Sequence, residues 1–399
     1  MSEAAMRILF VGVKWPPETF LARLVRGLAE RGHQITVALP RPPDAAWRAV
    51  DRVDFLLTPG WSGSRTSRLA RTAYEAGAAT LRSPRAAAQT VAEARGSGRA
   101  MTLTEQSYRW LPYAGRTWDV IYFPWNATAV SHLPLMARAP SVISCRGTQI
   151  NVAPHNPERT ELRLGLPESF AKAAAVHCVS EAICREATLY GLDPAKSVVI
   201  RPAVDPAIFC PAPQRRPPDG TLRVIMTGSV IWRKGYEHAL SAIDRLRARG
   251  VPVTLEIIGS GDEEQRLLYT LNDLELTECV QWHGQLPATA VVERLQAADV
   301  FLLASVSEGI SNALLEAMAC GLPVVTTDIS GMDEAVTDGV EGLIVPPRDA
   351  RATAAALEQL AQDAAARRRM GEAGRARVLS DFRLDDQVTE FERLFRSVV

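Results

Sequence analysis

Two long stretches of the chain share one rhythm, in which short apolar runs alternate with longer segments whose apolar positions recur every three to four residues. The run at residues 8–13 (ILFVGV) reads as a buried strand. Residues 20–31 carry helical periodicity and stop at Gly32, and residues 34–39 (QITVAL) form a second strand. A strand, a helix and a strand in that order make a βαβ unit, and such units build parallel sheets. Residues 60–110, rich in Ala and Arg, read as helical, with breaks at Pro84 and at Gly96-Ser97-Gly98. Further strands are expected at 119–123, 141–144, 176–179 and 198–200. The rhythm then fails over 201–220, where six prolines in twenty residues exclude a regular element and mark a linker. It resumes with strands at 222–226, 253–258, 299–303 and 323–327 and helices at 236–249 and about 311–320. The fold class expected is α/β, with two Rossmann-like domains facing an interdomain cleft and ligands at the carboxyl ends of the strands.

Length agrees with two domains: 399 residues and 43.5 kDa, at roughly 100–200 residues each. A 47% hydrophobic, 23% charged chain is globular rather than disordered. Its 45 basic and 45 acidic residues cancel, which argues against a nucleic-acid binder. The charges are unevenly placed, however. Residues 1–200 hold 24 basic and 16 acidic side chains, and residues 201–399 hold 21 and 29. Nine arginines lie in 65–116 against Glu75, Glu93 and Glu105. That stretch reads either as a solvated Arg-rich face or as a surface for an anionic membrane or an anionic acceptor.

The six cysteines show no CxxC spacing and no zinc-type cluster, so they are expected to be reduced. A strand pattern begins almost at once, leaving no room for a secretory signal, and no run of eighteen apolar residues occurs. The location expected is the cytoplasm, with peripheral contact at the inner face of the membrane through the N-terminal domain.

Three stretches carry chemistry. In the first, DVFLLASVSEGISNALLEAMACGLPVV, a buried strand ends near Ala304 and a loop over 305–310 leads into a helix. Amides beside Gly309 at a helix start can receive a phosphate. Glu308 lies in the loop. Glu316, about a turn into the helix, can accept hydrogen bonds from the vicinal hydroxyls of a ribose. A solvated helix glutamate would look the same in sequence. The second stretch, TGSVIWRKGY, follows a strand and contains Gly228, Arg233 and Lys234. An adjacent Arg and Lys can neutralise a diphosphate, one as a fork and the other as a point charge. Lys234 stands out because the chain has only four lysines and none follows it. The third, LEIIGSGD, places Gly259 after a strand but puts Glu264 where a dinucleotide fingerprint needs glycine.

Together these stretches resemble the retaining glycosyltransferases of family 4, which have the GT-B fold. Glu308 and Glu316 are separated by seven residues, as in that family's E-x7-E motif, and EGISNALLEAMACGLPVV and GLIVPP match its surroundings. The resemblance is dense over 222–350 and weaker over 1–200. It implies a hexosyltransferase-type enzyme of the kind that builds polysaccharides. The N-terminal Rossmann-like domain (1–203) would bind the acceptor and the C-terminal one (204–380) the nucleotide sugar, with a last helix (381–399) returning to the first domain.

The resemblance also assigns roles. Glu308 would face the donor sugar and Glu316 the ribose. Arg233 and Lys234 would hold the diphosphate beside Gly228 and Gly259, making Arg233, Lys234 and Glu308 the catalytic set. Gly309, Ile310, Ser311, Asn312 and Leu315 would complete the donor site, and His283, Gly284, Gln285 and Leu286 would grip the base, mainly through backbone. Apart from the resemblance, His283 reads as an ordinary loop residue. Two departures matter. The first turn, GVKWPPETF, resembles the S-E-T-F start of polysaccharide-type members with Pro17 in place of Ser, which nominates Glu18. The family's His-Gly pair is replaced by Arg146-Gly147, where the arginine either binds an anionic sugar or acceptor or pairs with a nearby acid.

The reaction implied is transfer, with retention, from a nucleoside-diphosphate sugar to an acceptor hydroxyl on a glycan, a lipid-linked saccharide or a small molecule. The donor phosphate itself takes the acceptor's proton on this account. No Asp-x-Asp and no metal-type spacing occurs, so no metal or cofactor is expected. A sugar-nucleotide epimerase and a non-catalytic nucleotide-sugar binder remain as alternatives.

Overall fold

The computed structural model describes residues 4–58, 60, 64–96, 102–214 and 219–399. Positions 97 and 98 of the expected glycine break, Arg99 of the Arg-rich stretch and residues 215–218 of the Pro-rich linker lie outside the described residues.

The chain divides into two compact units. Unit 1 takes in Met1–Cys178, Cys184–Val199 and Val388–Val399. Unit 2 takes in Val179–Ile183 and Ile200–Gln387. Unit 1 holds seven strands: β1 (Arg7–Phe10), β2 (Gln34–Leu39), β3 (Val53–Leu57), β4 (Val120–Phe123), β5 (Ser141–Cys145), β6 (Ala175–Cys178) and β7 (Ser197–Val199). They lie in the order β3-β2-β1-β4-β5-β6-β7, and every pairing is parallel. Unit 2 holds β8 (Leu222–Thr227), β9 (Val253–Ile258), β10 (Val280–Trp282), β11 (Val300–Leu303), β12 (Val324–Thr327) and β13 (Gly342–Val345). Their order is β10-β9-β8-β11-β12-β13, again all parallel.

All-parallel sheets must be covered on both faces, and the side chains of unit 2 divide accordingly. Val224, Met226, Leu255, Ile257, Val300 and Leu302 enter one apolar cluster. Their chain neighbours Ile225, Ile258, Phe301 and Leu303 enter the other. Strand side chains point alternately to opposite faces, so a near-continuous apolar run feeds two cores. In unit 1 the helix Thr19–Glu30 buries Leu21, Leu24, Val25, Leu28 and Ala29, the stripe that its periodicity announces.

Local chemistry shifts several expected boundaries. β1 ends at Phe10 rather than at residue 13: Val11 N–H still donates to Tyr122 O (3.0 Å), but Gly12 then turns out at φ +80°. Pro84 does more than break a helix. It opens the helix Pro84–Gly96, a position where its missing N–H costs nothing. Strands β3, β10 and β13 went unread; each is short and either lies at a sheet edge or carries a polar residue. The last helix, Leu384–Ser397, sends Phe391 and Phe395 into unit 1 from Val388 onward. Phe391 sits 4.7 Å from the His177 ring and 5.7 Å from Tyr122, and Phe395 sits 5.4 Å from Tyr122.

Candidate functional site

In unit 2 the connections reverse direction between β8 and β11. From β8 the sheet grows towards β9 and β10, and from β11 towards β12 and β13. The carboxyl ends of two such strands frame a crevice that neither crossover helix fills. The loops leaving β8 and β11 therefore define the site, and both carry residues nominated above.

The two loops are tied together. Val306 N–H donates to Arg233 O (2.8 Å), and the Arg233 guanidinium donates to Ser307 O (3.2 Å). Lys234 Nζ lies 2.6 Å from Glu308 Oε1, with the two side chains only 13% and 14% exposed. Ser305 Oγ also approaches Glu308 Oε1, at 3.5 Å, while Ser305 O accepts from Thr327 Oγ1 (2.5 Å). Arg233 and Lys234 lie in a single 3-10 turn, Trp232–Lys234, closed by Gly235 at φ +62°. A Cβ at Gly235 would lie 2.1 Å from Ala304 O, so the glycine is what lets the β8 loop press on the end of β11. Lys234 runs back alongside Gly228. Tyr236, the residue after Gly235, donates its hydroxyl to Gly228 O (3.0 Å). Burial, helped by the Glu308 carboxylate, pushes this phenol well above its ordinary range, so it serves as a neutral donor.

The helix after the β11 loop, Asn312–Ala319, starts without a side-chain cap from Ser311. Among the described residues, the backbone N–H groups of Gly309, Ile310, Ser311 and Asn312 make no hydrogen bond. The Asn312 Oδ1 atom is buried without a partner. Glu316 is half-buried on this helix. Leu315 departs from expectation: it is 0% exposed and packs in the apolar core of unit 2, so its side chain offers nothing to a ligand.

The loops after β9 and β10 border the same crevice. Gly259 N–H donates to Gly284 O (2.8 Å), and Gly259 packs so closely on Gly228 that a Cβ would sit 1.9 Å from Gly228 O. The His283 ring is engaged by Glu256 (Nε2 to Oε2, 3.0 Å), which also pairs with Arg294 (3.2 Å). Gln285 reaches Ser260 Oγ (3.5 Å), and Leu286 packs against the core. Sequence reasoning missed Tyr236, Glu256 and Thr327. The aromatic directly after Arg-Lys-Gly was a readable signal for the first, whereas the other two act from neighbouring strands.

The remaining nominated residues belong to unit 1. Arg146 follows β5, stacks its guanidinium 4.0 Å from the Phe20 ring centre and reaches Tyr122 Oη (3.4 Å). Its Nε is buried without a partner. Gly147 precedes the short helix Thr148–Asn151. Glu18 precedes the helix Thr19–Glu30, its carbonyl accepts from Leu21 and Ala22, and its Oε2 is buried without a partner. Among the described residues no group of three or more His, Cys, Asp or Glu side chains is placed to hold a metal ion. No described helix is long and apolar enough to cross a membrane.

Two Rossmann-like units, each built on an all-parallel sheet and one with a cationic turn facing a helix start across its switch point, are the elements of the GT-B fold. Residues 212–377 match the model for glycosyl transferases group 1, and residues 17–208 match that for glycosyltransferase family 4. The first half of the chain is thus similar to family 4 glycosyltransferases and the second half to glycosyl transferases of group 1. It is 34% identical over 194 residues to a glycogen synthase of Mycobacterium tuberculosis, a match covering 49% of this chain and 47% of that one. It is 37% identical over 167 residues to the amylovoran biosynthesis glycosyltransferase AmsK of Erwinia amylovora, covering 40% and 41%. The chain thus spans about half the length of these curated relatives. In fold it is similar to Anabaena HepE, solved with UDP and glucose, at a TM-score of 0.73 and 17% identity, covering 98% of this chain and 100% of that one.

Proposed function

We propose that this chain transfers a glycosyl unit, with retention, from a nucleoside-diphosphate sugar to an acceptor hydroxyl. The observation that carries the reading is the Arg233-Lys234 turn fastened to Glu308 beside four unengaged amides at a helix start. A departing nucleoside diphosphate develops negative charge on its terminal phosphate. Fixed cations and N–H groups aimed at that charge lower the barrier without reorganising. Arg233, Lys234 and the amides of Gly309, Ile310, Ser311 and Asn312 supply them. Glu308 then faces the donor sugar, Glu316 the ribose hydroxyls, and the main chain of 283–286 the base, since the His283 ring is already committed to Glu256. The acceptor oxygen bonds to the anomeric carbon as the carbon–phosphate oxygen bond breaks, and the leaving phosphate takes the acceptor's proton. No resident metal is required.

HepE was solved with UDP, which puts UDP first in a thermal-shift panel of nucleoside diphosphates and their sugars. One of them should raise the melting midpoint of the intact chain, and Lys234→Ala and Glu316→Ala should each abolish most of that shift. A donor that shifts all three proteins equally overturns the site. An epimerase would isomerise the donor with no acceptor present, and a pure binder would release no nucleoside diphosphate from any acceptor.

Peripheral contact with an anionic membrane belongs to the same reading. The helix Arg65–Arg82 exposes Leu69, Tyr74 and Leu81 among Arg65, Arg68 and Arg71. The six free cysteines fit a reducing compartment such as the cytoplasm.

A further inference from the structure

A cavity of about 980 Å³ opens within unit 1 at the carboxyl ends of its first strands. Lys14 and Trp15 follow β1, Arg41 follows β2, and Arg71, Tyr74 and Glu75 come from the helix Arg65–Arg82. The charges in this wall are the first clue. Among the described residues, Lys14, Arg41 and Arg71 form no ion pair and no side-chain hydrogen bond. Elsewhere in unit 1, Arg7, Arg109 and Arg138 are each matched to a carboxylate. Glu75, the one acid in the wall, has Arg82 and Arg116 as its charged neighbours, and burial pushes its carboxyl up. Three cations against one carboxylate leave this wall with an excess of positive charge, which an anion would balance. One further carboxylate would supply a single negative charge, whereas a phosphate monoester supplies up to two and a diphosphate up to three.

Aromatic rings are the second clue. Trp15 meets Trp47 edge-on at 5.4 Å and Phe55 at 5.7 Å, and Arg26 lies 4.6 Å from the Trp47 ring centre. Trp15 is therefore held in place while one side stays open. Tyr74, 73% exposed, adds a second ring. Flat aromatic faces beside cations, one of them held in place, suit a sugar ring joined to a phosphate. The volume falls within the roughly 300–1,000 Å³ of small-ligand sites.

We infer that this cavity binds the phosphorylated end of the acceptor, with Lys14, Arg41 and Arg71 holding the phosphate and Trp15 and Tyr74 the attached sugar. The inference rests on the glycosyl-transfer reading above and adds to it the chemical class of the acceptor. The phosphate comes either on a soluble sugar phosphate or on a lipid-linked saccharide.

Calorimetry on the full chain tests it with α-D-glucose 1-phosphate, with glucose as control. Vesicles of phosphatidylcholine carrying farnesyl diphosphate are compared with vesicles of equal charge carrying phosphatidylglycerol. The proteins are the wild type, Arg41→Ala/Arg71→Ala and Arg233→Ala/Lys234→Ala. Binding of the sugar phosphate, or of the diphosphate vesicles above the charge-matched ones, is expected. It should weaken by roughly tenfold or more in the Arg41/Arg71 double variant and persist in the Arg233/Lys234 one. Glucose should not bind. Binding of glucose 1-phosphate identifies a soluble source, and binding of diphosphate vesicles alone identifies a lipid source. Neither probe binding, both vesicle types binding equally without the sugar phosphate, or binding lost only with Arg233 and Lys234 overturns the inference. Both arginines are exposed, and Arg41→Gln/Arg71→Gln repeats the test if the alanine variant misfolds. Nucleoside-diphosphate binding to the wild type is read separately. Its absence beside an intact anion site sinks the transfer reading and leaves the cavity standing.

Discussion

Replacing Glu308 by Gln keeps the shape of the side chain and deletes its charge, which isolates what the Lys234–Glu308 pair contributes. At 2.6 Å and an effective dielectric near 20, the pair attracts with about 6 kcal/mol before desolvation is subtracted. Breaking a fully buried pair from one side costs roughly 3–5 kcal/mol. With the side chains 13% and 14% exposed, some water reaches Lys234 afterwards, so about 2 kcal/mol is the expected loss. For a unit of this size that lowers the midpoint by roughly 4–8 °C. The same change frees the ammonium for a ligand. A nucleoside diphosphate entering the wild-type site competes with Glu308 for Lys234; in the variant it does not. Its affinity should rise about tenfold, equivalent to ~1.4 kcal/mol, while sugar transfer falls by about a hundredfold or more. Scanning fluorimetry gives the stability, calorimetry the affinity, and labelled-sugar transfer the rate. Weaker diphosphate binding at unchanged stability would refute the reasoning, because Glu308 would then be shaping the phosphate site rather than competing for its cation.

Gly235→Ala forces a side chain to 2.1 Å from Ala304 O at φ +62°, so a loss of about 2–3 kcal/mol is expected, together with transfer activity; wild-type stability by denaturant titration would remove that argument. Acid should loosen the last helix of unit 1. His33 is held low chiefly by burial, with Nδ1 accepting from Met6 N–H (3.1 Å) and Nε2 facing Glu392 Oε1 (3.2 Å). Glu392 is raised by burial but held low on balance by Arg396, Arg31 and His33. Both groups have folded values below their ordinary 6.5 and 4.5, so their stability is full above those values and is lost as pH falls through the folded ones. The midpoint should therefore fall below pH 6.5 and again below 4.5, and Glu392→Gln should remove the second step; an unaltered acid limb in the variant contradicts this. Finally, vesicles containing phosphatidylglycerol should co-sediment the protein in low salt and release it in high salt. Arg65→Glu/Arg68→Glu should not pellet, and pelleting regardless of salt and charge argues against the Arg-rich helix as the contact.

Strands with unbroken apolar runs, such as 120–123 and 300–303, were legible because burial on both faces leaves no polar position to interrupt them. β3 was not, since Asp54 interrupts its run and β3 lies at the sheet edge, where one flank needs no cover. Leu315 was misjudged for a related reason: it lies between Asn312 and Glu316 in a motif, yet the turn of the helix points it into the core. Glu308 and Lys234 were each nominated from their own loop. Their contact was invisible because it depends on β8 and β11 being neighbours, a matter of strand order rather than of local pattern. The ring of His283 illustrates the same gap, as Glu256 claims it from an adjacent strand.

The unit whose sheet begins at Arg7 is not finished until Val388–Val399 arrive. On the ribosome, every residue of unit 2 is made before Phe391 and Phe395 can cover Tyr122 and His177. The half translated first must wait for the half translated second, so a nascent chain stalled after Gln387 would hold every residue of unit 2 but a unit 1 with a greasy, uncovered seam. Quality control in the cell would meet that seam, and truncations that spare every candidate active-site residue would still be cleared.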